Sequence, residues 1–304
     1  MIPLSEFLQK QKCSDGTSSI IEHIAHAGIL IRSEIHITAT KKDQLQNATG
    51  DIQSALDLTT DRIIKEALTQ CDYVTTAASE EQETCYTLKA KKGDYFVAYD
   101  PYDGGSVGDT NISFGSIFGI WEKNPLNGSV GKKLVAACYI LYGPRVTFVV
   151  SLKGGGTHLF ELDNDQNFHL VTRDMIITTD AHHFAPGNLR ASLTDKKYRA
   201  VIDHWLSSAY TLRYTGAFVT DVNHILLKRD GIFVYPSEEK YPTGRLRLLY
   251  ECAPLTLIIQ EAGGHGCTQN GTNILNEMIT NHHQRTTIII GSSEEVEIVT
   301  KLLQ

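Results

Sequence analysis

Long apolar runs, blocks of basic charge and closely spaced cysteines are all missing from this sequence, and each absence excludes a class of protein. No apolar stretch approaches the roughly 18–20 residues that a bilayer-spanning helix needs. Lysine and arginine number 28 against 35 acidic residues, a net charge of −7 with no basic block, which argues against a nucleic-acid surface. Six cysteines (Cys13, Cys71, Cys85, Cys138, Cys252 and Cys267) form no C-x-x-C pair and no zinc spacing, so reduced thiols in a cytoplasm are expected. Met1-Ile2-Pro3-Leu4-Ser5-Glu6 has neither the apolar core of a signal peptide nor the basic, acid-poor character of a transit peptide. The ending Leu302-Leu303-Gln304 is not a peroxisomal address. Internal repeats and low-complexity tracts are absent as well.

What is present is a hydrophobic content of 41% and a charged content of 21% over 304 residues, suited to a soluble globular chain of one large domain or two ordinary ones. Apolar residues at helical spacing (Ile20, Ile24, Ala27, Ile31, Ile35) predict a helix over 18–37. A second helix follows the polar loop 46–50, with Asp51 as its expected cap. Strands are expected over 73–77, 84–88, 95–99, 112–121 and 145–152, with a short helix over 133–142 among them. Residues 157–162 and 168–172 read as a hairpin with an Asn-Asp tip. A second half begins near residue 175, giving units 1–175 and 176–304. It reads as helix 196–208, strand 212–214, helix 217–228, strand 231–235, a helical stretch 246–262 stopped by Gly263-Gly264, strand 286–290 and helix 293–303. Pro254 should kink the 246–262 stretch or begin a new helix there. This alternation means a mixed α/β fold in stacked layers.

The chemistry gathers at Asp100-Pro101-Tyr102-Asp103-Gly104-Gly105-Ser106. Pro101 holds Asp100 extended and turns the chain at the strand end, so both carboxylates can aim at one point. The glycines beyond let backbone N–H groups approach an anion. A hard cation takes carboxylate oxygens, and a phosphate takes the cation and the amides together. An ordinary Asp/Gly turn is the plainer reading of this stretch alone. Other acids are similarly two-sided. Asp51 and Asp57 do not share a helix face, and Asp51 can be a simple cap. Glu80-Glu81 can be merely solvated at a strand end. Glu251 lies in the apolar run 246–254, where a buried carboxylate needs a metal or a salt bridge such as one to Arg247.

Together these motifs resemble, in order and over nearly the whole chain, the fructose-1,6-bisphosphatase family of Mg²⁺-dependent, lithium-sensitive sugar phosphatases. The matching segments are Gly50-Asp51-x5-Asp57, Ser79-Glu80-Glu81, Asp100-Pro101-Tyr102-Asp103-Gly104, Leu246-Arg247-Leu248-Leu249-Tyr250-Glu251 and Glu261-Ala262-Gly263-Gly264. Further stretches are similar to the family's sedoheptulose-1,7-bisphosphatase branch: Asp109-Thr110-Asn111, Tyr142-Gly143-Pro144-Arg145, Gly156-Thr157-His158, Pro186-Gly187-Asn188-Leu189-Arg190-Ala191 and Tyr210-Thr211-Leu212-Arg213-Tyr214-Thr215-Gly216. The resemblance implies a layered αβαβα sandwich, with an active site between the two units.

It also implies roles. Asp51, Glu80, Asp100, Asp103 and Glu251 match metal ligands, with the Tyr102 carbonyl as a backbone ligand. Asp57 and Glu81 match the carboxylates that activate the attacking water. Gly104, Gly105 and Ser106 would hold the phosphate being cleaved. Asn188, Arg190, Arg213, Tyr214, Tyr235 and Arg245 would form the pocket for the sugar and its second phosphate, with Arg213 resembling a residue lent across a subunit interface. The implied cofactor is Mg²⁺, with Mn²⁺ as a substitute. The implied partners are a small sugar bisphosphate and a second copy of the chain in a homodimer, with no nucleic acid and no membrane.

Three departures stand out. Gly105 replaces a usual serine. Arg245 stands for a usual lysine, changing a point charge to a fork. Asp94 occupies the place of a lysine that contacts inhibitory AMP in fructose bisphosphatases. The redox-active cysteine pair of the plant enzymes has no counterpart between Ile31 and Gly50, so thioredoxin control is not expected. The reaction implied is hydrolysis of the 1-phosphate of sedoheptulose 1,7-bisphosphate. Fructose 1,6-bisphosphate, or both sugars, is the nearest rival. A non-catalytic phosphosugar-binding regulator is a more distant one, opposed by the intact acid set.

Overall fold

The protein is described from a computed structural model over residues 2–11, 13–35, 42–46 and 52–304; Gly50 and Asp51 lie outside the described residues. Helices α1 (Leu4–Gln9) and α2 (Asp15–Ile35) come first, then the antiparallel pair β1 (Lys42–Gln46) and β2 (Ile52–Ser54), then helix α3 (Ala55–Gln70). The next strands are β3 (Val74–Ser79), β4 (Tyr86–Thr87), β5 (Tyr95–Asp103), β6 (Phe114–Trp121), β7 (Leu134–Tyr142), β8 (Val146–Leu152), β9 (Gly156–Leu162) and β10 (Phe168–Thr172). They build an eight-stranded sheet in the order β10-β9-β8-β7-β6-β5-β3-β4. All its pairs are antiparallel except β3 with β5.

The remaining chain supplies β11 (His183–Pro186), α4 (Lys196–Ser207), β12 (Thr211–Leu212), α5 (Phe218–Lys228), β13 (Ile232–Tyr235), β14 (Leu246–Arg247), α6 (Ala253–Glu261), β15 (His265–Cys267), β16 (Arg285–Thr286), β17 (Ile288–Gly291) and α7 (Ser293–Leu303). A second sheet has the order β12-β11-β13-β17-β15, and β14 pairs separately with β16.

The layers follow from where alternate side chains go. In β5, Val97 and Tyr99 join a core with Ile24 and Ile31 of α2 and Leu56, Ile64 and Leu68 of α3. Phe96 and Ala98 point the other way, into a core shared with α5, α6 and the Phe233, Ile288 and Ile290 side of the second sheet. The opposite face of that sheet, through Phe184, Ile232, Val234 and Ile289, packs on α4 and α7. Reading across gives helices, sheet, helices, sheet, helices: the αβαβα sandwich, a mixed α/β fold. Trp121 and Trp205 are both buried in it. Among the described residues no helix is long and apolar enough to cross a membrane.

Three local expectations need correction. Residues 134–142 form the central strand β7, not a helix. Covered on both faces, its run Leu-Val-Ala-Ala-Cys-Tyr-Ile-Leu-Tyr has no polar stripe, and such a run carries no period to tell strand from helix. The 246–262 stretch is not one helix: β14 leads into a π-helical turn at Leu248–Cys252, and Pro254 sits in the first turn of α6, where its missing N–H costs nothing. Finally, α3 is capped by Ser54, not by Asp51.

Candidate active site

The parallel pairing of β3 with β5 brings two strand ends to one place. Ala78 lies opposite Ala98 and Ser79 opposite Tyr99, so Glu80 emerges beside Asp100, and the Glu80 N–H donates to the Tyr99 carbonyl at 3.0 Å. The π-helical turn delivers Glu251 to the same point. Oxygens of Asp100, Asp103 and Glu251 all lie within 4.8 Å of one another. π-Helical turns of this kind are frequent at functional sites, because one extra residue re-aims a side chain.

Each acid is fixed by local bonds. The turn expected at Pro101 comes later, because β5 runs on to Asp103 with only a shift of register against β6 after Asp100; the Tyr102 N–H donates to Asp100 Oδ1 at 2.9 Å across that irregularity. The Val219 N–H, in the first turn of α5, donates to Asp103 Oδ2 at 2.5 Å. The Arg247 N–H donates to Glu251 Oε2 at 2.6 Å. The Arg247 guanidinium turns to Glu80, with Nη1 2.6 Å from Oε1. The sequence offered Arg247 as a salt-bridge partner of Glu251; its guanidinium pairs with Glu80, its backbone N–H bonds Glu251, and its charge also favours the ionised form of Glu251.

Burial and crowding decide the charge state. Desolvation pushes the Asp100 carboxyl well above the usual carboxylate range, and the charges of Glu80, Asp103 and Glu251 add to it. Burial, reinforced by Glu80, does the same to Glu251. Asp103 is raised to about 7, chiefly by burial, against the lowering effect of the Val219 N–H. Buried like charges so close together persist only with protons or a cation among them. An all-oxygen, anionic donor set of this kind suits a hard divalent cation. The residues fit the cation that the family pattern implies.

Asp57 stands at the start of α3, where it closes a capping box with Ser54: the Ser54 N–H donates to Asp57 Oδ2 at 2.6 Å, and the Asp57 N–H donates back to the Ser54 hydroxyl. The Ser54 hydroxyl also donates to Asp57 Oδ2. Burial raises the Asp57 carboxyl, with Glu80 adding to it. A Cβ at Gly105 would lie 3.5 Å from Asp57 Oδ1, so Asp57 faces the glycine turn. Glu81 is half-buried next to Glu80, and its N–H donates to the Ser79 hydroxyl at 3.2 Å. Gly104 has φ +109°, and a Cβ there would meet Ala217 at 2.9 Å and Phe114 at 3.1 Å, so only glycine lets the turn dock against the α5 start. Ser106 is exposed at the rim.

A second group gathers at the ends of the parallel strands β11 and β13. Asn188 follows β11, and its buried Nδ2 has no hydrogen-bond partner among the described residues. The Tyr214 hydroxyl donates to the Gly187 carbonyl at 3.1 Å. Burial raises that hydroxyl most, Asp221 and Tyr235 add to this, and Arg245 and Arg190 oppose it. Arg190 also lines a cavity of about 440 Å³ with Ala191, Thr194, Glu238, Glu239 and Lys240. Arg213 stands apart from this group within the chain; its guanidinium donates to the Leu212 carbonyl at 2.9 Å, on the exposed strand β12. The segment 214–219 runs from this pocket to the Val219 N–H on Asp103, joining the two halves of the site.

Some participants were not visible in the sequence. Asp61 hides in the middle of α3, and Asp221 is buried, with its Oδ1 accepting from the Thr215 N–H and hydroxyl. His282 and His283 pack on Tyr250, and His283 Nε2 lies 3.1 Å from the Gln82 carbonyl oxygen beside the acids. The spacing of Asp57 and Asp61 is one signal that could have been used.

Comparison with known proteins supplies the family. The fructose-1-6-bisphosphatase N-terminal domain model matches residues 6–173 and the C-terminal domain model matches 177–304. The chloroplastic sedoheptulose-1,7-bisphosphatase of Spinacia oleracea is 36% identical over 298 residues, covering 96% of this chain and 76% of that one. The class 1 fructose-1,6-bisphosphatase of Geobacter sulfurreducens is 36% identical over 300 residues, covering 97% and 93%. Among solved structures, Leishmania major fructose-1,6-bisphosphatase in holo form superposes with a TM-score of 0.91 at 29% identity, covering 99% of this chain and 98% of that one. A Toxoplasma gondii structure described as a sedoheptulose-1,7 bisphosphatase gives 0.91 at 27% identity with the same coverage. The chain belongs to the fructose-1,6-bisphosphatase family and is a sugar bisphosphatase, a hydrolase of phosphoric monoesters.

Proposed function

We propose that the protein hydrolyses the 1-phosphate of sedoheptulose 1,7-bisphosphate, releasing sedoheptulose 7-phosphate and inorganic phosphate, with Mg²⁺ as cofactor. Asp100, Asp103, Glu80 and Glu251, together with Asp51 and the Tyr102 carbonyl, would hold the cation. Once bound, it neutralises charge on the transferring phosphoryl group and acidifies water. Asp57 and Glu81 orient the attacking water and receive its proton. The Gly104 and Gly105 amides and the Ser106 hydroxyl steady the phosphate in line. Burial that keeps the carboxyls from ionising alone makes the acid cluster depend on a cation for its working charge state.

The seven-carbon assignment rests on the distal pocket. The Arg190 charge acts on the Tyr214 hydroxyl, and Arg190 and Ala191 line the cavity beside it; by the family resemblance, fructose bisphosphatases have Asn-x-x-Tyr where this chain has Asn188-Leu189-Arg190-Ala191. A longer sugar would reach past Tyr214 toward Arg190, with Asn188, Tyr235 and Arg245 on its hydroxyls and phosphate. The unpartnered Asn188 Nδ2 is a donor such a ligand would satisfy. Two units, 1–175 and 176–304, would meet along this cleft. Arg213 would serve a second copy in a homodimer, a reading supported by its exposed place just after the edge strand β12. Six free cysteines support a reduced, cytoplasmic setting.

Ala191→Tyr tests the pocket directly. It should lower kcat/KM for the seven-carbon substrate by about tenfold while sparing the six-carbon one, since filling the space removes room for one carbon and its hydroxyl. An unchanged ratio would refute this placement of the distal phosphate.

A further inference from the structure

Helix α3 carries a second buried acid that the catalytic reading leaves without a task. Asp61 follows Asp57 by four residues, so the two share a face, with Asp61 one turn deeper. It is only 5% exposed. Its partners among the described residues are neutral donors. The Ser79 hydroxyl donates to Oδ1 at 2.5 Å, the Tyr99 hydroxyl to Oδ1 at 2.9 Å, and Gln82 Nε2 to Oδ2 at 2.7 Å.

The placement of those donors is what matters. Ser79 and Gln82 flank Glu80-Glu81 on either side, so one carboxylate grips both ends of the segment that carries the two acids. Ser79 passes the grip on, because its hydroxyl also accepts the Glu81 N–H. Tyr99 precedes Asp100 on β5, and its carbonyl takes the Glu80 N–H. The same helix face thus presents Asp57 to the site and, one turn below, ties down the strand ends holding Glu80, Glu81 and Asp100.

We propose that Asp61 is a positioning residue for hydrolysis, setting Glu80 and Glu81 against Asp57 and Asp100; this rests on the roles proposed above for those four acids. An acid that only filled the core would affect stability alone. A positioning acid must affect turnover and cation affinity, and should leave binding of the distal sugar end alone.

The test compares wild type, Asp61→Ala and Asp61→Asn in phosphate release across a Mg²⁺ titration, with thermal unfolding alongside. Asp61→Ala should lower kcat at least about 30-fold and raise half-saturating Mg²⁺ at least about fivefold, with KM within about threefold, as misplacement by about 1 Å does. Asp61→Asn keeps an acceptor for Ser79 and Tyr99 and should return to within about fivefold of wild type. Asp61→Ala with unaltered kcat and Mg²⁺ dependence, whatever its Tm, would overturn the proposal. Should Asp61→Ala not fold, Gln82→Ala releases one end of the grip and should cost about threefold to tenfold in kcat; wild-type kcat there would overturn the proposal equally. Lack of Mg²⁺-dependent hydrolysis of either sugar bisphosphate by the wild type would strike the parent reading instead, before any variant is compared.

Discussion

At the scale of single residues, the site is a problem of buried negative charge. Asp100, Asp103 and Glu251 converge within 4.8 Å, and Glu80 adds its charge from the neighbouring strand end. Asp103→Asn or Glu80→Gln removes a ligand charge without changing shape, so turnover should fall at least about a thousandfold with the fold intact. Activity within tenfold of wild type at ordinary Mg²⁺ would refute the ligand assignment. The raised Asp103 carboxyl, near 7, adds a pH dependence with a definite sign. Its native value lies above the unfolded one, so the unbound protein holds a proton that the unfolded chain has lost, and its stability declines as pH rises from about 4 to about 7. A cation displaces that proton below pH 7 but meets a ready carboxylate above it. The gain in Tm on adding saturating Mg²⁺ should therefore be larger at about pH 8 than at about pH 5.5. An equal gain at both would contradict this.

At the scale of elements, function is built at the ends of strands and helices. The turn after β5 is the tightest case: φ +109° at Gly104 and a contact of 2.9 Å between its would-be Cβ and Ala217 leave no room for a side chain. Gly104→Ala should destabilise by about 1–3 kcal/mol and lower kcat more than about tenfold, because the turn must shift away from the α5 N–H that holds Asp103. Thermal unfolding and steady-state kinetics check both; a variant with unaltered Tm and kcat would contradict the account of this turn. The elements differ in how legible they were. Helix α7 was readable because one face is apolar and the other charged, whereas β7, buried on both faces, has no such contrast. Asp100 and Asp103 could be picked out because they flank a proline with two glycines just beyond, whereas Glu80, read alone as a solvated acid, gained its meaning only from the family resemblance. Asp61 and the Arg247–Glu80 pair could not be picked out, since their meaning lies in partners 18 and 167 residues away that only the fold supplies. The Ser54 cap was missed because the chain turns into α3 three residues later than Asp51 suggested.

At the scale of the whole molecule, a chain with a net charge of −7 has to hold a doubly phosphorylated sugar. On the function proposed above, the acid cluster would hold a cation at the reacting phosphate, and a few arginines would take the distal one. The reacting end is common to six- and seven-carbon bisphosphates, so discrimination would fall on the distal end, where Arg190 and Ala191 line a cavity. Groups arranged for the longer sugar are left unpaired by the shorter, at about 1–3 kcal/mol for each lost contact. The most direct measurement is kcat/KM for sedoheptulose 1,7-bisphosphate and fructose 1,6-bisphosphate, side by side, with and without Mg²⁺. The expected result is strict dependence on the cation and a preference of at least about tenfold for the seven-carbon sugar, with slower hydrolysis of the six-carbon one. Equal constants for the two sugars, a preference for fructose 1,6-bisphosphate, or turnover that survives removal of the cation would contradict it.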